Sequence, residues 1–216
     1  MTTDCDFSYE HYRYVLETAI DNGYRFASFD DEKIPLNHKV IFVHHDIDVS
    51  PIKAVKIARI ENNLGIKSTY FFMKHCPTYS LYDKETRKAI DNIRDYGHWI
   101  GRHVSKFEYR GKTNNPIYNT QVYSIHKPEK DELGKKTVPN NTYASRFIKD
   151  CHYISDSRGV WHNQCPCKSI SSCEYKQYHI LFHPIWYGPG TKRHKMDSIL
   201  ENRILELREY AKEILC

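Results

Sequence analysis

At 216 residues, with 40% hydrophobic and 13% aromatic side chains, the chain carries enough apolar material for one packed domain of ordinary size. Its net charge of +5 comes from scattered lysines and arginines, which argues against the clustered basic footprint of a nucleic-acid binder. No apolar run approaches the roughly 18 residues of a membrane span.

The first six residues lack the basic and apolar regions of a signal peptide. Seven cysteines in irregular spacing suit reduced thiols better than a disulfide framework. A cytoplasmic protein is therefore expected. Repeats, low-complexity tracts and linkers are absent from the sequence, so residues 1–216 read as a single domain.

In chain order, Ser8 begins a helical pattern with Tyr12, Val15, Leu16, Ala19 and Ile20 on one stripe, and Gly23 supplies the stop. This predicts an opening helix over residues 8–23. Residues 24–37 are polar and turn-rich. Val40-Ile41-Phe42-Val43 then reads as a buried strand over 39–45 that runs into His44-His45-Asp46-Ile47-Asp48. Ser50-Pro51 is a helix N-cap followed by proline at the first helical position, and that helix stops at Gly65. Residues 66–73 are rich in β-formers and predict a second buried strand.

A second strand–helix unit follows. Residues 83–96 form a helix with Ala89, Ile90 and Ile93 inward, Gly97 ends it, and 98–103 make a short third strand. Alternating strands and helices at this spacing imply parallel crossovers, in a barrel or an open α/β sheet. Between 104 and 120 the periodicity fails, and a long loop is expected there. Further strands are predicted at 121–126, 152–155 and 178–183, with loops over 129–142 and 158–173. An amphipathic helix over about 196–215 closes the chain.

Several of these strands end in residues able to bind a metal: Asp46 and Asp48, His103, His126 and His183, with Asp156 as a further case. Parallel strands deliver their C-terminal ends to one face, where α/β proteins place their chemistry. Asp46 and Asp48 lie two apart and would face the same way on an extended strand. Aspartate and histidine together suit zinc or another borderline divalent ion. Each residue also has a plainer reading. A lone histidine can be a hydrogen-bonded structural residue, preferred for His98; the acids can cap the next helix, and Asp156-Ser157 can be a turn.

At these residues the sequence resembles the NodB-type polysaccharide deacetylases. The resemblance is carried by His45-Asp46-Ile47-Asp48 and the following residues 61–72, by Gly97-His98-Trp99-Ile100-Gly101-Arg102-His103, and by His179-Ile180-Leu181-Phe182-His183-Pro184. It runs over about residues 39–187 and implies a distorted, incomplete parallel (β/α) barrel. It also implies metal-dependent hydrolysis of an N-acetyl or N-formyl group on an amino sugar, nucleotide- or lipid-linked, in surface-polysaccharide assembly. Carried over residue by residue, Asp46 would be the general base, Asp48 and His103 metal ligands, and His183 the acid that protonates the departing amine. The ion would be zinc, with cobalt or nickel as alternatives.

The sequence departs from that family where many members carry a second histidine four residues after the first; here Phe107 stands. His126 is the replacement ligand, because another strand end would bring it to the same face. His45, Asp156, Arg158 and Trp186 complete the set as supporting or substrate-contacting side chains. Cys165 and Cys167, with Cys173 and with His162 or His179, make either a small structural zinc site or a group of reduced loop cysteines. Two other readings compete with the sugar deacetylase. One is a hydrolase of small amides on the same fold; the other is a barrel that has lost hydrolysis and binds carbohydrate or serves as a scaffold.

Overall fold

The strand β2 (Val40–Ile47) is buried along its whole length, so both of its faces and both of its edges need partners. In the computed structural model, which describes residues 5–31, 33–105, 108, 110–134 and 140–215, it lies in one sheet with six other strands: β1 (Arg25–Ala27), β3 (Thr69–Met73), β4 (Trp99–Val104), β5 (Tyr123–Ile125), β6 (His152–Ser155) and β7 (Gln177–Phe182). The strand order is β5-β4-β3-β2-β7-β6, every pairing in it is parallel, and the six strands curl into a half-barrel. Since β7 runs along residues 40–45 of β2, the other edge is shared. The short β1 pairs with residues 40–42 and β3 with residues 44–47.

Local chemistry explains the helices between these strands. Helix α1 (Tyr9–Asp21) begins where the Ser8 hydroxyl accepts from the His11 N–H. Helix α2 (Pro51–Asn63) begins the same way, with Ser50 accepting from Lys53 N–H and Pro51 in the first turn. Gly65 follows α2 with φ 70°, and Gly97 follows α3 (Lys84–Asp95) with φ 85°, in the left-handed conformation that terminates a helix. Among the described residues, no helix connects β4 to β5. The remaining helices are the short α4 (Ser145–Ile148) and α5 (Pro166–Ser171), and the long α6 (Lys192–Leu215).

Alternation along the strands divides the side chains into two layers. On the outer face Ile41, Val43, Ile47, Tyr70, Phe72, Ile100, Ile154, Tyr178, Ile180 and Phe182 pack beneath Tyr12, Val15 and Leu16 of α1, Ile57 of α2, Ile90 and Ile93 of α3 and Ile170 of α5. On the inner face Val40, Phe42 and Phe71 meet Phe29, Val122 and Phe147. Gly101 is required there: a Cβ at this position would lie 2.9 Å from the Val122 carbonyl oxygen and against the Phe71 ring.

The outer layer contains one buried charge. The Glu61 carboxylate accepts from Tyr12 Oη at 2.7 Å, Ser68 Oγ at 2.6 Å, His45 Nε2 at 2.9 Å and Tyr70 Oη, tying α1, α2, β2 and β3 together. His98 sits beside it, donating from Nε2 to the Ala58 carbonyl while Nδ1 accepts from Ser68 N–H. That is the structural role the sequence favoured for His98.

Several expectations need correction. Residues 24–37 hold β1, whose three residues are too few to show a period. Residues 158–173 contain α5. The C-terminal helix starts at Lys192, and instead of burying an apolar stripe it leaves Leu200, Ile204, Leu205, Leu207 and Ile214 exposed. The cysteine set also separates. Cys173 approaches Lys39 Nζ and Asn22, His162 bonds the Ser157 carbonyl, and His179 lies inside the half-barrel, all away from Cys165 and Cys167. No helix of the described residues is long and apolar enough to cross a membrane.

Burial alone would raise the Glu61 carboxyl, but the His45 and His98 imidazoles and the Ser68 hydroxyl hold it at about 2 in the fold, against an ordinary 4.5. Its contribution to stability is thus complete above 4.5 and fades as pH falls towards 2. Glu61→Ala should lower stability by about 3–5 kcal/mol near neutrality, since it strands buried donors, and should flatten the acid limb. Denaturant unfolding from pH 7 down to 3 measures both effects; an unchanged acid limb would show that Glu61 does not govern it.

Candidate metal centre

The polar inner-face residues of β2 are His44 and Asp46, and Asp48 continues the same alternation just past the strand. The backbone there is held by the next connection: Tyr79 Oη donates to the Ile47 carbonyl at 2.5 Å and Thr78 Oγ1 to that of Val49 at 2.8 Å. His103 lies on β4 opposite Met73 of β3 and Ser124 of β5. His126 comes one residue after β5, its N–H bonded to the Val104 carbonyl. Asp156 and His183 come one residue after β6 and β7. Parallel pairing places all of these at the carboxyl end of the sheet.

Three donor atoms converge. Asp48 Oδ1 is 3.0 Å from His103 Nε2 and 3.4 Å from His126 Nδ1, and the two nitrogens are 3.0 Å apart. Zinc–nitrogen and zinc–oxygen bonds of about 2.0–2.1 Å set tetrahedral edges of about 3.3 Å, close to this triangle. Asp48 Oδ1 is buried and has no hydrogen bond in correct geometry, although two imidazole nitrogens are within reach. A carboxylate oxygen aimed at a shared point with two imidazole nitrogens fits a divalent ion. His103 is buried, whereas Asp48 and His126 are each 24% exposed, so the triangle opens towards solvent on one side. Three protein ligands with an open position is the pattern of a catalytic rather than a structural ion.

Behind the triangle stand further polar groups. His103 Nδ1 faces Asp46 Oδ1 at 3.5 Å, the relation in which a carboxylate orients a liganding imidazole. Asp46 Oδ2 accepts from Ser124 Oγ at 3.1 Å, and Asp46 Oδ1 lies 3.7 Å from His44 Nε2. Burial would raise the Asp46 carboxyl, but the facing His103 imidazole leads the opposing effects, which hold it at about 2. Asp48 is likewise pushed below the usual carboxylate range by His103 and His126, against the effect of burial.

The tautomers of the inner histidines follow from their partners. His179 Nδ1 must donate to the Phe147 carbonyl, which can only accept, so its Nε2 accepts from His44 Nδ1 at 2.8 Å. Burial keeps both imidazoles neutral, lowering His44 and pushing His179 well down. His44 therefore turns an unprotonated Nε2 towards Asp46.

His183 is held differently. Both its backbone N–H and its Nδ1–H donate to Asp156, the latter at 2.6 Å, while Nε2 lies 3.7 Å from Asp48 Oδ2. Burial would lower it, but Asp156 dominates and raises it to about 9, so this imidazole carries its proton at neutral pH.

Of the residues singled out in the sequence, the structure brings together Asp46, Asp48, His103, His126, His183 and Asp156. His45 is elsewhere: one residue out of phase with His44 and Asp46, it points to the outer face, bonds Glu61 and stacks on Tyr70. Arg158 is exposed with φ 61°, and among the described residues no contact joins it to the cluster. Trp186 is half-buried against Gly159, and its carbonyl accepts from Lys195 Nζ. Phe107 lies outside the described residues.

The sequence reading missed Ser124 and the His44–His179 pair. The alternation that paired Asp46 with Asp48 also picks out His44; a serine in a three-residue strand sends no signal. Beside the centre, a cavity of about 270 Å³ is lined by His103 together with Lys74, Tyr82, Arg102, Glu108, Lys112 and Tyr118. That is near the small end of small-molecule sites, about 300–1,000 Å³.

No family model, curated protein or solved structure matches this chain. The likeness to the deacetylases therefore rests on the quoted motifs alone.

Asp48→Ala and His126→Ala should each remove one tightly held divalent ion per chain from the purified protein. Elemental analysis of the folded variants reads this directly, and a metal content equal to that of the unaltered chain would dismiss the centre.

Proposed function

We propose that the chain is a metal-dependent hydrolase that cleaves an amide, with the N-acetyl or N-formyl group of an amino sugar as the substrate class. The observation that carries this reading is the convergence of Asp48 Oδ1, His103 Nε2 and His126 Nδ1 beside a protonated His183. A divalent ion gripped there, zinc being the best match to one carboxylate and two imidazoles, would polarise a carbonyl and acidify water.

The chain's own groups would supply the proton transfers. Water adds to the carbonyl carbon and gives up a proton to Asp46, which is held ionised. The unprotonated Nε2 of His44 lies 3.7 Å behind Asp46 and can share that proton. The carbon–nitrogen bond then breaks as His183 Nε2 donates its proton to the nitrogen, which otherwise leaves badly. Asp156 keeps His183 charged and oriented for that donation. Acid and base thus come from two carboxylate–imidazole groups whose proton affinities are pushed apart.

The sugar part rests on the motif resemblance, and the polar cavity beside His103 could take one ring. A cytoplasmic enzyme would meet nucleotide- or lipid-linked intermediates of surface-polysaccharide assembly.

A second reading has its own support. The 3.0 Å separation of His103 and His126 is also an ordinary hydrogen-bond length, as in an ion-free polar cluster of a carbohydrate-binding barrel.

Acetate or formate release from N-acylated amino sugars and from small amides tests the proposal and separates its two substrate classes. Asp46→Asn should keep the ion and lose turnover, and His183→Ala should slow it by about 10²–10⁴. Full turnover in both variants would remove this mechanism, and no release from any amide by metal-loaded protein would favour the binding reading.

A further inference from the structure

A second cluster of metal-binding side chains lies in the helix layer, built from residues far apart in sequence. Cys5 precedes α1, His11 sits in its first turn, and Cys165 and Cys167 flank the first residue of α5. His11 Nε2 is 3.1 Å from Cys165 Sγ, Cys165 Sγ is 3.3 Å from Cys167 Sγ, and Cys167 Sγ is 3.6 Å from Cys5 Sγ. All four donor atoms lie within 4.8 Å of one another. His11, Cys165 and Cys167 are buried, and Cys5 closes the group from the exposed side.

These separations discriminate between explanations. A disulfide needs sulfurs about 2.05 Å apart, whereas Cys167 Sγ lies 3.3 Å from Cys165 and 3.6 Å from Cys5, and all three cysteines are free. Zinc bonds of about 2.3 Å to sulfur and 2.0–2.1 Å to nitrogen give tetrahedral edges of about 3.8 and 3.5 Å, so the observed distances need to open only by tenths of an ångström. Three thiolates and an imidazole, with no carboxylate among the donors, select zinc over magnesium or calcium. Four protein donors fill the tetrahedron and leave no position for a substrate.

We infer that Cys5, His11, Cys165 and Cys167 form a structural zinc site that fastens the start of the chain to α5. Binding requires the thiols to release their protons to solvent and changes no oxidation state. The surrounding contacts fit a fastening role. Phe7 stacks on Trp161 at 5.5 Å, and its carbonyl accepts from Gly188 N–H. The N-terminal segment thus lies across both the α5 connection and the turn after His183. This site is independent of the proposed hydrolase function and survives its failure.

The test uses the full chain purified under reducing conditions, in unaltered form and as Asp48→Ala, which disables only the other centre. One zinc per chain should remain in Asp48→Ala and be released as an organomercurial titrates the thiols. Cobalt in its place should show a thiolate-to-metal charge-transfer band. Cys5→Ser, altering the exposed ligand, should weaken retention at least tenfold in a chelator competition while leaving the circular dichroism unchanged. Folded Asp48→Ala protein with no zinc and no charge-transfer band would overturn the site.

Discussion

A strand buried on both faces has no room for an unpaired polar side chain, yet β2 carries two imidazoles and a carboxylate in succession. Leaving one such group without a partner costs several kcal/mol. The fold meets this demand in opposite directions: His45 turns outward to Glu61, and His44 and Asp46 turn inward to His179, Ser124 and His103. The partners come from α2, β4, β5 and β7. Satisfying one strand thereby fixes the mutual placement of most of the sheet.

The same demand shapes the candidate centre. Two inward histidines near the triangle have a carboxylate behind them, so that their orientation is set before anything binds. Asp46 stands behind His103, and Asp156 stands behind His183. His183 is gripped through both its ring and its backbone N–H. The two carboxylates nearest the triangle are held ionised by imidazoles, while a third carboxylate holds an imidazole charged. An anionic pocket facing a protonated histidine is an arrangement suited to a cation and a basic leaving group.

The parts of this fold legible in the sequence were those with a period or a punctuation mark. Ser8, Ser50, Gly65 and Gly97 marked helix ends, and the apolar runs marked β2 and β3, because these signals are local. The two-residue spacing of Asp46 and Asp48 showed that they share a side. What stayed hidden was non-local. The role of His45 depends on Glu61 from the next helix, and Ser124 depends on pairing between β4 and β5. The cysteine partners depend on how α1 packs on α5, so proximity in sequence pointed to Cys173, which lies elsewhere. Three-residue β1 is too short to announce itself.

The two donor sets differ in ways that give them separate work. Asp48, His103 and His126 offer oxygen and nitrogen at the open end of a half-barrel, with a cavity beside His103. An ion there would keep a vacant position for exchange. Cys5, His11, Cys165 and Cys167 offer sulfur-rich, closed coordination between helices. Thiolate-rich sets hold zinc more tightly than carboxylate–imidazole sets of three, so under scarcity the fastening site would fill first. Order in the turn after His183, which the N-terminal segment crosses, would then be secured before an ion reaches the open centre.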